Sequence, residues 1–184
     1  MEASDVSEDL TRVLVSETEI RAKLAELARR IESDFADDRP LLVGVLKGAV
    51  MVMADLAREL RIHIDMDWMA VSSYGAGTQS SGVVRILKDL DTDLTGRRVL
   101  IVEDIIDSGL TLSWLKENLS RRGAKSVEIC ALLRKPGAAK VDVDVTYLGF
   151  DIPNEFVVGY GLDYAEAYRN LRDVAILAPQ VYDN

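Results

Sequence analysis

The sequence predicts a single α/β domain built around a mainly parallel sheet. Three observations carry this expectation. The runs "LLVGVL", "VLIV" and "SVEICALLRK" are apolar with little polar alternation, as strands buried on both faces read. Amphipathic helical stretches separate them, as parallel crossovers require. The chain has 184 residues, enough for one domain that removes roughly 70% of its unfolded surface from water.

The elements follow in order. The first nine residues are acidic and are expected to fray. From Ser16, "SETEIRAKLAELARRI" opens on a Ser16–Glu19 capping box, and Ile20, Leu24, Leu27 and Ile31 recur on one helical face. Pro40 leads into the strand "LLVGVL", and "KGAVMVMADLAREL" continues as a turn and a helix. "IHIDMDWMAV" alternates, with Ile62, Ile64, Met66 and Trp68 on its apolar face and Asp65 and Asp67 on the solvated one.

"SSYGAGTQSSG" is too polar and glycine-rich to pack alone, so it reads as a long flexible loop before the strand "VVRILKD". A turn at Leu94–Gly96 precedes the strand "RRVLIVED". The helix "LTLSWLKENLSRRGA" places Leu112, Leu115 and Leu119 inward, with Gly123 just past its end. "SVEICALLRK" and "VTYLGF" are further strands. The tail reads as a short strand at "FVV", a loop with a helical turn, and a last strand at "VAILAP".

Charge narrows the function. Asp and Glu number 31 against 22 Lys and Arg, a formal net charge of -9, which disfavours a nucleic-acid or anionic-membrane footprint. Cys130 is the only cysteine, so neither an intrachain disulfide nor a thiolate zinc cluster is expected. No run approaches membrane-spanning length and the start lacks a signal-peptide core, so a cytoplasmic protein is expected.

The chemistry concentrates in "VLIVEDIIDSGLTL", Val99 to Leu112. In open α/β sheets, ligands bind beyond the carboxyl ends of the strands. This strand delivers Glu103, Asp104 and Asp107 to that edge, where mutual repulsion requires a cation or hydroxyl groups between them. The following "DSGLT" offers backbone N–H groups, two hydroxyls and a helix N-terminus, which together cradle a phosphate. A phosphorylated sugar fits both halves. Walker and complete dinucleotide signatures are absent from the sequence.

This stretch resembles the phosphoribosyl pyrophosphate motif of type I phosphoribosyltransferases: apolar strand, Glu-Asp, two apolar residues, Asp-Ser-Gly, then Thr. "VGVLKGA", "SSYG", "LLRKPG" and "PNEFVVGYGLDYAEAYRNL" resemble, in order and spacing, the bacterial hypoxanthine-guanine phosphoribosyltransferases over about residues 13–180. The resemblance implies the type I phosphoribosyltransferase fold. Its core would span about 35–150, with a hood from the N-terminal segment and about 151–184, and a lid loop at about 72–83.

The implied reaction joins hypoxanthine or guanine to the anomeric carbon of phosphoribosyl pyrophosphate, forming IMP or GMP. By resemblance, Glu103 and Asp104 engage the ribose hydroxyls directly or through Mg²⁺, with Asp163 a further candidate ligand. Asp107 would be the general base near purine N7, acting late because a carboxylate is a weak base. Ser108, Gly109, Leu110 and Thr111 would wrap the 5′-phosphate. Lys47, Gly48 and Arg169 would take the pyrophosphate, and the Leu46–Lys47 peptide can be cis in the family. Lys135, which only donates, would select the 6-oxygen, Phe156 would stack on the base, and Val157 and Asp163 would lie at its edge. Ser73 and Tyr74 match the lid.

Other residues attract no role. His63 is the only histidine, and Asp89, Asp91 and Asp93 form an acidic turn out of calcium-loop register. The rival readings are a phosphoribosyl pyrophosphate-sensing nucleic-acid-binding regulator and a transferase for adenine, orotate or uracil. The acid balance counts against the first, and "LLRKPG" with "EFVVGYGLDY" against the second. A homodimer or homotetramer is expected from the family, with "AVMVMADLA" a plausible contact.

Overall fold

Two sheets organise the chain, one rich in helical crossovers and one built from the chain's two ends. The computed structural model describes residues 1–74 and 83–182. β2 (Leu41–Leu46), β3 (Asp65–Tyr74), β4 (Val83–Lys88), β5 (Arg98–Ile106), β6 (Ser126–Arg134) and β7 (Tyr147–Asp151) form a six-stranded sheet in the order β4-β3-β2-β5-β6-β7. All its pairs are parallel except β3 with β4, an antiparallel edge. β1 (Leu10–Val15), β8 (Val157–Val158) and β9 (Val174–Leu177) form a three-stranded antiparallel sheet in the order β1-β9-β8.

The first helix begins where its sequence signal stands. α1 (Glu17–Asp34) is capped by Ser16, whose Oγ accepts the Glu19 N–H while the Glu19 carboxylate accepts the Ser16 N–H at 2.8 Å. Its residues Ile20, Leu24, Leu27 and Ile31 are buried. α2 (Val50–Glu59) buries Val52, Met53 and Leu56, so core packing takes most of the apolar face of "AVMVMADLA". α3 (Leu110–Arg121) buries Leu112, Leu115 and Leu119, and α4 (Pro179–Tyr182) is a single turn.

Strand alternation divides the core in two. Leu42, Leu100, Val102 and Cys130 face the cluster that holds α1 and α2. Leu41, Val43, Val99, Ile101 and Ile129 face the cluster that holds α3. The apolar side chains of the central strands therefore meet a helix layer on both faces, which is why those strands carry little polar alternation. Burial pushes the Cys130 thiol up to about 12, so it is an inert core residue.

Four expectations need correction. The N-terminus is not frayed: the Ala178 N–H donates to Asp9 O at 2.8 Å, and the Arg172 N–H to Met1 O at 3.2 Å. Residues 1–9 are thus pinned against the far end of the chain. Within "IHIDMDWMAV" the strand starts only at Asp65, and its polarity is partly inverted: Met66 is 44% exposed and Asp67 only 7%. Asp67 accepts the N–H groups of Trp68, Asp91 and Thr92. Burial would raise its carboxyl, yet these bonds together hold it below the usual range. Asp65 is likewise not simply solvated, since it pairs with Arg39 and Arg97.

The third correction concerns the loop after Ser72. Ser72, Ser73 and Tyr74 continue β3, in register with Arg85, Val84 and Val83, and residues 75–82 lie outside the described residues. Last, the helical turn expected in the tail is absent from the described residues 159–173. That segment is a series of tight turns in which Tyr160, Ala165, Glu166 and Tyr168 adopt positive φ. No helix among the described residues is long and apolar enough to cross a membrane.

Candidate active site

The carboxyl ends of β2, β5 and β6 lie side by side, and the predicted residues cluster there. β5 runs two residues beyond the acids, to Ile106, so Glu103 and Asp104 are themselves strand residues and point to opposite faces. Glu103 joins the α3 side, lining a cleft of about 260 Å³ with Asp107, Ser108, Gly109 and Thr111. Its Oε2 is buried without a partner. Burial first, then the neighbouring Asp104, raises its carboxyl well above the usual range.

Asp104 faces the other way, toward the turn after β2. A Cβ on Gly48 would lie 1.8 Å from the Asp104 Oδ2, so only glycine lets this backbone approach the acid. Burial pushes the Asp104 carboxyl up to about 6; Arg169 opposes the rise and Asp163 adds to it. The Leu46–Lys47 peptide is cis.

The loop Asp107–Thr111 is an open anion cradle. Gly109 is the N-cap of α3 at φ 77, in left-handed backbone, and no side chain caps the helix. The first N–H groups of α3 thus remain available, apart from a long 3.4 Å bond from the Leu110 N–H to Ser108 Oγ. Ser108 O accepts the Lys140 N–H at 3.0 Å, which braces the loop from behind. Leu110 is half-buried, and Asp107 is exposed. With Ile106, Asp107 also lines a second cleft of about 250 Å³ beside Arg134, Pro136 and Val141.

From the smaller sheet, the segment 159–169 closes on the same edge. Gly161, at φ 100, brings its backbone against Gly48 O. Arg169 donates to Gly161 O at 2.8 Å and pairs with Asp163 at 2.8 Å and Glu166 at 3.3 Å. Glu166 also reaches the Lys47 ammonium at 3.0 Å. Lys47, Gly48, Asp104, Asp163 and Arg169 therefore form one connected set.

The residues expected at the base are less closely joined. Lys135 follows β6, is 8% exposed, and donates its backbone N–H to Ile106 O at 2.9 Å. Its ammonium has no ion-pair partner among the described residues. Val157 is buried in β8, opposite Ile176. Phe156 is 40% exposed and stacks on Tyr182 with centroids 5.2 Å apart, while Tyr164 meets it edge-on at 5.8 Å. Ser73 and Tyr74 stand at the end of β3, where the described chain stops.

A cation would find its donors here. Among the described residues no three acids converge into a ready-made cage. Mg²⁺ is ordinarily held by one or two carboxylates plus substrate phosphates and water. The unpartnered Glu103 Oε2 and the raised Asp104 suit that arrangement, whereas Asp163 is already engaged by Arg169 and the Glu166 N–H.

Known proteins share this architecture. The family model described as phosphoribosyl transferase domain matches residues 14–165. The chain belongs to the phosphoribosyltransferase family. It is 55% identical over 180 residues to the hypoxanthine-guanine phosphoribosyltransferase of Mycobacterium avium, a match covering 95% of this chain and 89% of that one. The enzyme of the same name from Bacillus subtilis is 53% identical over 176 residues, covering 96% and 98%. A crystal structure of a Staphylococcus aureus hypoxanthine phosphoribosyltransferase superposes with a TM-score of 0.94 at 44% identity, covering 98% of each chain. The fold is thus the type I phosphoribosyltransferase fold that the motif implies.

Sequence reasoning missed three residues that the structure sets against the candidate ones in this phosphoribosyltransferase. Glu166 lies midway between Asp163 and Arg169 in "DYAEAYR", a spacing that could have singled it out. Tyr164 was visible inside a quoted motif without a role. Tyr182 had no signal, because its contact with Phe156 depends on how α4 folds back.

Proposed function

We propose that this phosphoribosyltransferase transfers the 5-phosphoribosyl group from phosphoribosyl pyrophosphate to hypoxanthine or guanine, yielding IMP or GMP and pyrophosphate in purine salvage. The observation that carries the reading is the meeting of two half-buried acids, one with a buried and unpartnered oxygen, and an uncapped helix N-terminus at one strand edge. The relatives' names supply the bases.

In this reading the phosphate sits on the Ser108–Thr111 amides and hydroxyls, and Glu103 and Asp104 hold the ribose hydroxyls. Mg²⁺, when bound by Glu103 and Asp104 with substrate oxygens, and by Asp163 once Arg169 turns to the pyrophosphate, would neutralise charge building on the departing pyrophosphate. Lys47, the Gly48 amide and Arg169 receive the pyrophosphate as the bond from the anomeric carbon to its oxygen breaks. Asp107, lining both clefts, takes the N7 proton late, after oxocarbenium character has developed. Lys135 donates to the 6-oxygen, Phe156 stacks on the base, and Val157 reads its edge. A lid over about 72–83, carrying Ser73 and Tyr74, would exclude water from the reactive carbon.

A cytoplasmic setting, no nucleic-acid partner, and a homodimer or homotetramer complete the proposal. The net charge of -9 supports the second point. A spectrophotometric assay with phosphoribosyl pyrophosphate, Mg²⁺ and each purine tests it. Turnover of hypoxanthine and guanine but not adenine is the expected result. Tight phosphoribosyl pyrophosphate binding without turnover of any base would transfer the case to a ligand-sensing regulator.

A further inference from the structure

Glu166 bridges two cations with one carboxylate. Its Oε2 lies 3.0 Å from the Lys47 ammonium, and its Oε1 lies 3.3 Å from the Arg169 guanidinium. Lys47 comes from the turn after β2 and Arg169 from the tail segment, so the acid ties together two separate parts of the fold. Both cations hold its carboxyl below the usual range, the hydrogen bond from Lys47 most of all. Arg169 keeps Asp163 and Gly161 O as other partners, whereas Lys47 has only Glu166 among the described residues.

No apolar burial rewards this placement, because the Glu166 side chain is 65% exposed. The backbone is costly too: Ala165 and Glu166 both adopt left-handed φ, at 50 and 67, which non-glycine residues rarely do. The Glu166 N–H is fastened to Asp163 at 2.9 Å, which fixes where the side chain emerges. A carboxylate set between Lys47 and Arg169 presents an anionic oxygen to each cation, as a phosphate end of pyrophosphate would, with a smaller charge.

We propose that Glu166 is a built-in counter-anion that occupies the cations of the pyrophosphate site when the site is empty. The inference rests on the proposed assignment of Lys47 and Arg169 to pyrophosphate. Incoming pyrophosphate must displace the carboxylate, and the returning carboxylate speeds departure of the leaving group. Glu166 therefore weakens pyrophosphate binding and favours turnover over product retention. Exposed ion pairs are individually weak, so the competition is worth about 3- to 10-fold in affinity.

Calorimetric titration of inorganic pyrophosphate with Mg²⁺ into the wild type, Glu166→Gln and Glu166→Ala tests the assignment. The expected result is a Kd lower by about 3- to 10-fold in both variants. GMP, which carries no pyrophosphate, should bind both as it binds the wild type, and this also reports that they are folded. Unchanged or weaker pyrophosphate binding in the variants overturns the counter-anion role, since an acid that merely positioned Lys47 would weaken binding when removed. A wild type that binds GMP but no pyrophosphate overturns the assignment of the site, and the inference with it.

Discussion

The Gly48 backbone rests directly on the Asp104 carboxylate, so close that a Cβ at position 48 would fall 1.8 Å from Oδ2. Gly161 packs its backbone close to Gly48 O, where a Cβ would likewise collide. The strand end, the turn after β2 and the tail segment thus share one contact point. Gly48→Ala should push Asp104 off its position and weaken phosphoribosyl pyrophosphate binding at least tenfold, about 1.4 kcal/mol. Calorimetry checks this, and an unchanged Kd would show that Asp104 has room to adapt.

Asp107 stands apart from that contact, exposed at the junction of two clefts. As the proposed base beside purine N7, its chief part comes when a proton moves. Asp107→Asn keeps the shape and removes the proton acceptor. Expected is a fall in kcat of roughly 10²- to 10⁴-fold with little change in substrate binding. Steady-state kinetics with a binding titration separates the two, and an undiminished kcat would remove Asp107 from the chemistry.

What the sequence disclosed follows the range of the interactions involved. The Ser16–Glu19 cap and the α3 face of Leu112, Leu115 and Leu119 are local patterns, and both stand in the structure. The phosphate loop was legible for the same reason, since strand, acids, loop and helix are contiguous from Val99 to Leu112. β1 was not assigned because its partner is β9, at the opposite end of the chain. The inward Asp67 was misread because its partners, Asp91 and Thr92, sit in a distant turn that looked merely acidic. Tyr160 and Tyr168 take left-handed backbone that their residue type disfavours, so no local rule could foresee that turn.

Lys135 is nearly buried, with no ion-pair partner for its ammonium among the described residues. A site built to donate to a 6-oxygen leaves that cation unsatisfied when the base lacks one. Lys135→Met keeps the stem and removes the donor. Expected is a loss of about 10²- to 10³-fold in kcat/KM for hypoxanthine and guanine, with phosphoribosyl pyrophosphate affinity retained. Equal kcat/KM in the variant would mean that another group reads the 6-position.

Tyr182 lies against one side of Phe156, with ring planes 28° apart. Such an aromatic pair is worth about 0.5–1.5 kcal/mol beyond simple burial. Tyr182→Ala should loosen Phe156 and raise KM for the purine about 2- to 10-fold while leaving KM for phosphoribosyl pyrophosphate unchanged. A rise in both constants would point instead to a general loosening of the C-terminal turn.

Two buried phenols bear on the alkaline stability of the fold. Tyr160 donates to Asp55 at 2.6 Å and Tyr147 to Asp34 at 2.8 Å. Burial first, then the acid each one faces, raises both above the ordinary tyrosine range. In the unfolded chain both would ionise near pH 10, while the native state keeps its protons. Between those limits the native state binds more protons, so stability is intact below about pH 10 and falls as pH rises beyond it. Each phenol contributes a slope of at most about 1.4 kcal/mol per pH unit in that window. Urea unfolding at pH 8, 10 and 11 should show the decline, and Tyr160→Phe, with no proton to lose, should flatten it. An identical pH slope in that variant would mean that Tyr160 ionises alike in both states.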